Sequence, residues 1–553
     1  MKYIKFFAVL AIALTLFSCG NAYVEAGASV NGAGSYLKDI GIIACGRRIS
    51  PQKDLFGDGY TLYLPSFAED ITWSLTGSTE INGTEVKDGD PANIVLIADS
   101  IKAGDVSFKV MRSENLPALF IDTDREEMKK VDSSPYHSYG TDGEYSLVSS
   151  EGKTLDVGKL GKIRGRGNST WHGPEKKPYQ IELTEDKSLL GLAKAEKYVL
   201  LANYYDVSLL RNSTAFDLAE MSDGYSVSGE HIDLYICGEY RGTYLLCEKI
   251  EISENKINIR DLELLTEKAL GQKPKIFDRA GETDGASAGS AKWYSLPLDV
   301  EDITGGYLLE VDYPDRYTEE NSGFVTSRGL PIVISSPKYA SSAQVEYIKE
   351  YVCDFEDALY SEDGYNGKGK HYSEYADVDS LVFRYLFEEF VLNIDGGVSS
   401  FYIYKDSDRN GGKLNFSVVW DFDCSFGNYD LYADLTSPDT LFVGESEQRN
   451  NGTMPSWFNA MLCHDEISQR ANEYYAETFR AKAIAVLDSI SSEYQYISAS
   501  AEMDSYLYSG ATLKDHYCTL SGDTPPEGAE YLYKFIQERI QFFDSVFQYI
   551  EKD

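Results

Sequence analysis

The chain has 553 residues, 43% hydrophobic and 25% charged, which excludes a fibrous or disordered protein and gives a prior of about three or four domains. Lys plus Arg number 51 and Asp plus Glu number 89, so the net charge is −38. That balance excludes unassisted binding to a nucleic-acid backbone, which needs clustered cations, and suits an acidic extracytoplasmic surface or one that handles cations and metals.

In chain order, Lys2 and Lys5 precede an apolar run from Phe6 to Phe17. The run is too short to span a bilayer and has the build of a signal-peptide core. Leu16-Phe17-Ser18-Cys19 resembles a bacterial lipobox. Residues 1–19 are therefore expected to be a lipoprotein signal peptide, with Cys19 lipidated and the chain anchored at a membrane surface without spanning it. No later stretch approaches about 18 continuous apolar residues, so no transmembrane helix is expected.

Residues 20–55, with patches such as Ala26-Gly27-Ala28-Ser29, read as a tether. Between 56 and 115, short alternating segments are broken by turn residues. Tyr60–Pro65, Ile71–Leu75, Asn93–Ile97 and Val106–Val110 are expected strands, with turns at Asn82-Gly83 and Asp88-Gly89. This pattern predicts a small all-β domain, an Ig-like sandwich serving as spacer or adhesion module. From 116 to 553 the pattern is α+β. Strands are expected at Pro178–Leu183, His231–Ile236, Tyr244–Cys247, Gly306–Val311 and Pro331–Ser335. Helices are expected at Ser342–Tyr360, Asp377–Leu392, Glu466–Glu493 and Tyr531–Glu551.

Of eight cysteines, seven remain without Cys19. No C-x-x-C or Cys/His spacing for zinc is present, and an odd, scattered set argues against a disulfide framework. Cys237 and Cys247 share one expected hairpin. Buried free thiols are the expectation there, and pairing is the alternative.

The first chemical constellation is Arg164-Gly165-Arg166-Gly167-Asn168-Ser169-Thr170-Trp171, after an expected strand. Glycines on both sides of Arg166 would let backbone approach a ligand while guanidinium groups reach its anionic oxygens. It is neither a Walker loop nor a dinucleotide fingerprint. Lys176 and Lys177 follow at the head of a strand, where protein kinases hold a phosphate-pairing lysine. Period two groups Lys177 with Tyr179, Ile181 and Leu183, and Lys176 with Gln180 and Glu182, so Lys177 is the better candidate to point inward.

The second constellation pairs aspartates. Asp395 ends an apolar helical pattern, Ser400 follows five residues on, and a hairpin returns through Leu414–Trp420 to Asp421-Phe422-Asp423. This is the layout of a kinase catalytic loop followed by its metal loop. One carboxylate handles the nucleophile's proton and another holds the magnesium that neutralises phosphate charge.

These stretches together resemble the CotH family, named for a spore coat protein. So do Tyr198–Asp206, Leu209-Leu210-Arg211-Asn212, Ile232–Glu248 and Gly305–Asp312. The resemblance covers about 116 to 550. It implies an atypical protein-kinase-like fold that uses ATP with Mg²⁺ or Mn²⁺ to phosphorylate serine or threonine of a surface or exported protein. By position it makes Arg164, Arg166, Asn168, Ser169, Lys176 and Lys177 nucleotide-binding, and places Leu246 and Glu248 at the hinge beside adenine. Asp395 becomes the catalytic aspartate; Asp421, Asp423 and Ser400 become metal ligands. Ser400 departs from the asparagine common in the family. A catalytically weak or inactive kinase-like surface binding protein or adhesin is the alternative.

Overall fold

The computed structural model describes residues 39–67, 71–222, 224–281, 285–430, 436–445, 456–509, 518 and 520–549. The signal peptide with Cys19, and the start of the expected tether, lie outside them. Among the described residues no helix is long and apolar enough to cross a membrane.

The all-β region begins earlier than expected. Ile40–Ala44, Arg47–Ile49 and Gln52–Lys53, read as tether, are strands. Ile40–Ala44 is Ile/Ala-rich and nearly wholly buried, so it belongs to a core that a solvated linker would not have. The region forms a three-stranded and a six-stranded sheet. A second difference is Asn93–Leu96, a 3₁₀ turn and not a strand. Arg112 supplies the reason: its guanidinium donates to the Val95 carbonyl at 2.7 Å and to that of Ala98, satisfying oxygens that a ladder would otherwise need.

Seven strands then close a barrel in the order Ala118–Asp122, Gly140–Val148, Thr154–Gly165, Tyr179–Lys187, Ala195–Leu201, Glu239–Glu248 and Gly229–Ile236. Closure is the parallel pairing of Ala118–Asp122 with Gly229–Ile236. Alternation decides the faces. Tyr179, Ile181 and Leu183 fill the barrel, with Leu200 and Leu246, whereas Val199 and Leu245 turn outward to the main core. Cys237 lies in the turn of its hairpin and bonds the Thr123 carbonyl, while Cys247 is buried along the strand, so the two are free thiols and unpaired with each other.

A seven-stranded sheet follows, centred on Tyr307–Val311, Pro331–Ser336 and Phe401–Lys405. Against it pack Ser342–Leu359, opened by a Ser341/Gln344 capping box, and the almost wholly buried helix Val378–Val391. The expected Glu466–Glu493 helix is two helices, Asp465–Tyr474 and Arg480–Leu507, joined by a π turn over Tyr475–Phe479. Arg480–Leu507 packs on the final helix, Pro525–Val546, and reaches back to the barrel.

Candidate functional site

A cleft of about 940 Å³ lies where barrel and seven-stranded sheet meet. One wall carries Arg164, Arg166, Asn168 and Ser169 from the glycine loop. Arg164 donates to Gln180 Oε1 at 3.0 Å, and Arg166 lies over the Trp420 ring at 4.9 Å. The two glycines have a local reason. A Cβ on Gly165 would sit 2.2 Å from the Trp171 ring, and one on Gly167 would meet Thr170 Oγ1 at 2.3 Å. They make room for their own loop to fold over.

The facing wall is acidic. The helix Val378–Val391 ends with Leu392 in the left-handed region, φ 52°, which turns the chain back toward the cleft. Buried Arg384 pairs with Glu388 at 2.6 Å. Glu388 accepts from Asn393 Nδ2 at 2.8 Å, and Asn393 Oδ1 accepts from the Asp395 backbone N–H at 3.1 Å. Arg384 also donates to the Val418 carbonyl, on the segment that delivers Asp421. One buried guanidinium thus registers both aspartate turns.

Asp421 and Ser400 are both non-glycine residues with positive φ, 75° and 48°, and face each other: Ser400 Oγ donates to Asp421 Oδ2 at 3.2 Å. Such strain persists only when neighbours over-determine it. Here Asn212 Oδ1 accepts from the Phe422 N–H at 2.8 Å, and Asn212 in turn donates to Asn203 Oδ1 at 3.0 Å. Asp395 accepts from Tyr313 OH at 3.0 Å. Burial, then the charge of Asp421, pushes the Asp395 carboxyl up to about 7, against the Tyr313 hydrogen bond. Burial raises Asp421 as well, opposed by Arg166 and Ser400. Asp423 is raised by burial and by Asp421, Asp206 and Asp395.

Four expected site residues lie elsewhere. Lys177 is half-buried and donates to the Trp171 carbonyl at 2.6 Å. Lys176 is buried against Asp504 at 2.6 Å and the Thr243 carbonyl at 2.6 Å. Neither lines the cleft. The period-two grouping held Lys177 with Tyr179, but that face is the barrel interior; the cleft takes the opposite face, with Gln180. Leu246 also points into the barrel, and Glu248 accepts the Ala193 N–H at 2.6 Å. The cleft is reached instead by the next residues, Lys249 to Ile252.

Several lining residues carried no expectation. Val199, Ile250, Leu308 and Ile334 make an apolar middle section. Glu310 and Asp312 project from the strand Tyr307–Val311 and the position just beyond it, at the same spacing-by-two that marks one sheet face. Burial and then Asp312 raise Glu310 to about 8, while Ser399 donates to Asp312 at 2.7 Å. The signal for Asn203, Asn212, Glu310 and Asp312 was their place in the family-like stretches; nothing in composition or periodicity singles them out.

Among the described residues no three His, Cys, Asp or Glu side chains converge as a metal-ligating group. The donor set nonetheless fits magnesium, which is held through one or two carboxylates while water and phosphate oxygens complete its shell. Asp421, Ser400 and Asp423 would supply oxygens of that kind: all are hard donors, Asp421 and Ser400 are held at positive φ, and burial raises both carboxyls.

No protein of curated function matches the chain. A chain from the Shewanella oneidensis MR-1 toxin–antitoxin complex of HipA, HipB and operator DNA aligns over 92% of this chain and 98% of its own length. Identity is 11% and the TM-score 0.24, too low to carry an argument. The family model described as CotH kinase protein matches residues 163–543, over two thirds of the chain, from the glycine loop through the last helix. The chain belongs to the CotH kinase family.

Proposed function

We propose that the chain is an atypical protein kinase that transfers the γ-phosphate of ATP to a serine or threonine hydroxyl of a surface or exported protein. The observation that carries this is the convergence of Asp395, Asp421 and Ser400 in one cleft opposite Arg164 and Arg166. Arg164 and Arg166 bind phosphate oxygens by charge-assisted hydrogen bonds. Asn168 and Ser169 stand beside them. Val199, Ile250, Leu308 and Ile334 bury the base. Asp421, with Ser400 and Asp423, holds Mg²⁺ or Mn²⁺, which when bound neutralises charge on the transferring phosphoryl group. Asp395 accepts the proton of the incoming hydroxyl; its carboxyl, raised to about 7, lies where a base near neutral pH works best. Tyr313 orients it. The signal-peptide and lipobox pattern supports a location outside the cytoplasm with a tether through Cys19, and on that reading Cys19→Ala should abolish acylation.

The test is thermal shift with ATP and Mg²⁺ or Mn²⁺, followed by incorporation of labelled phosphate into a Ser-rich peptide or the chain itself. Metal-dependent binding with incorporation supports the kinase; no ATP binding with either metal ends it. A second reading has its own observation. Lys176 and Lys177 both turn away from the cleft, so no lysine from that strand head reaches phosphate. A catalytically weak kinase-like binding protein then follows, and it predicts ATP binding without transfer.

A further inference from the structure

Cys424 follows Asp423 and lines the same cleft. Its Sγ lies 3.9 Å from that of Cys518, 94 positions along the chain, and Cys518 is buried. Tyr204, Tyr205 and Tyr429 pack around the pair.

The backbone on each side is already tied together without the sulfurs. Arg211 donates to Ser521 Oγ at 2.7 Å and to the Ser425 carbonyl at 3.0 Å. Ser521 Oγ donates to Asn428 Oδ1 at 2.7 Å, and Asn428 Nδ2 donates to the Asp423 carbonyl at 2.7 Å. Buried Asp206 pairs with Arg211 and completes the frame. A disulfide bond is about 2.05 Å long, so the sulfurs need to approach by roughly 2 Å within a frame that already holds both segments.

We propose that Cys424 and Cys518 are a dithiol–disulfide site that staples the Asp421–Asn428 turn to the segment ahead of the helix Pro525–Val546. Cys424 is the entry sulfur because it faces the cleft. Its thiolate attacks one sulfur of a small-molecule disulfide of the glutathione type, that S–S bond breaks, and one thiolate leaves. The Cys518 thiolate then attacks Cys424 Sγ in the mixed disulfide and displaces the second thiolate. In sum, the two cysteine thiols give up two electrons and two protons, and the small disulfide becomes two thiols. The staple limits the excursions of Asp421 and Asp423. Its effect on metal rests on the kinase reading, whereas formation of the bond does not.

The experiment equilibrates the full chain in glutathione buffers from reducing to oxidising, quenches with acid, alkylates, and maps non-reduced peptides by mass spectrometry. The expected result is one dominant cross-link, joining the Cys424 and Cys518 peptides. The melting midpoint should rise by several degrees on oxidation in wild type and stay put in Cys518→Ser. Full alkylation of both cysteines at every poise, cross-links scattered over other cysteines, or a linked pair with an unmoved midpoint overturns the proposal. Peptide mapping of wild type decides even if the variant fails to fold. Failure of the kinase reading shows separately, as absent phosphate incorporation in both redox forms.

Discussion

Two clusters of acids in this fold differ in what faces them. At the junction of barrel, N-terminal sheets and the helix Arg480–Leu507, Asp504 pairs with Lys176 at 2.6 Å. Beside it Asp233 accepts from Ser500 at 3.0 Å and Tyr240 at 3.2 Å. Burial pushes Lys176 down and Asp504 up, yet each has its counter-charge and further donors. In the cleft, burial raises all three of Asp395, Asp421 and Asp423, the charge of Asp421 adds to the rise of Asp395, and Asp421 and Asp395 add to that of Asp423; against them stand Tyr313, Ser400, Cys424 and the charge of Arg166. In the first cluster Lys176 answers the charge of Asp504 from within the chain, and the contacts hold three regions together. The second is left short of positive charge, which is the condition of a site awaiting a cation.

The sharpest way to break this contrast is to remove charge from each cluster. Asp421→Asn should lower phosphoryl transfer by two or more orders of magnitude and abolish the metal dependence of ATP binding, while the melting midpoint holds or rises; a midpoint that collapses would make Asp421 architectural. Lys176→Ala should do the reverse. It strands Asp504 in the core and should destabilise by about 3–5 kcal/mol in denaturant titration, with nucleotide affinity of the folded fraction unchanged. Arg166→Ala should weaken ATP binding by roughly 1.5–3 kcal/mol in calorimetry, and Lys177→Ala should leave it within about twofold. An effect of Lys177→Ala equal to that of Arg166→Ala would put the lysine back in the phosphate site.

A smaller effect concerns pH. Burial raises the Asp233 carboxyl to about 6, above its ordinary range. The folded state therefore holds that proton more tightly than the unfolded one, and the associated stability is present below about pH 4 and lost as pH rises through about 6. Asp233→Asn removes the titration. The stability difference between wild type and variant should change by on the order of 2 kcal/mol between pH 4 and 7, measured by denaturant unfolding. A constant difference would show that Asp233 does not titrate in that window.

Much of this was legible in the chain. The helix just ahead of Asp395 and the hairpin returning to Asp421 follow from apolar periodicity and turn residues, and both aspartates line the cleft. The lysines show the limit. Period two correctly sorted Lys177 with Tyr179 and Ile181, but a strand in a closed barrel has two buried faces, and periodicity does not say which one holds the ligand. The expected tether gives way to strand for a related reason: Ile40–Ala44 is short, and its burial depends on the strand Thr72–Leu75, about thirty residues away, which pairs with it.

By itself the sequence determined the α+β class, the order of its chemical stretches and which aspartates stand at element ends, because these depend on local propensity and spacing, and the resemblance of those stretches to known ones gave the family. Tertiary structure decided the rest. It chose which strand face became the cleft, tied Lys176 to Asp504, set Glu310 and Asp312 opposite the barrel and brought Cys424 beside Cys518. Each of these joins residues far apart in the chain, and contacts of that range are fixed by how whole elements pack and not by any local pattern.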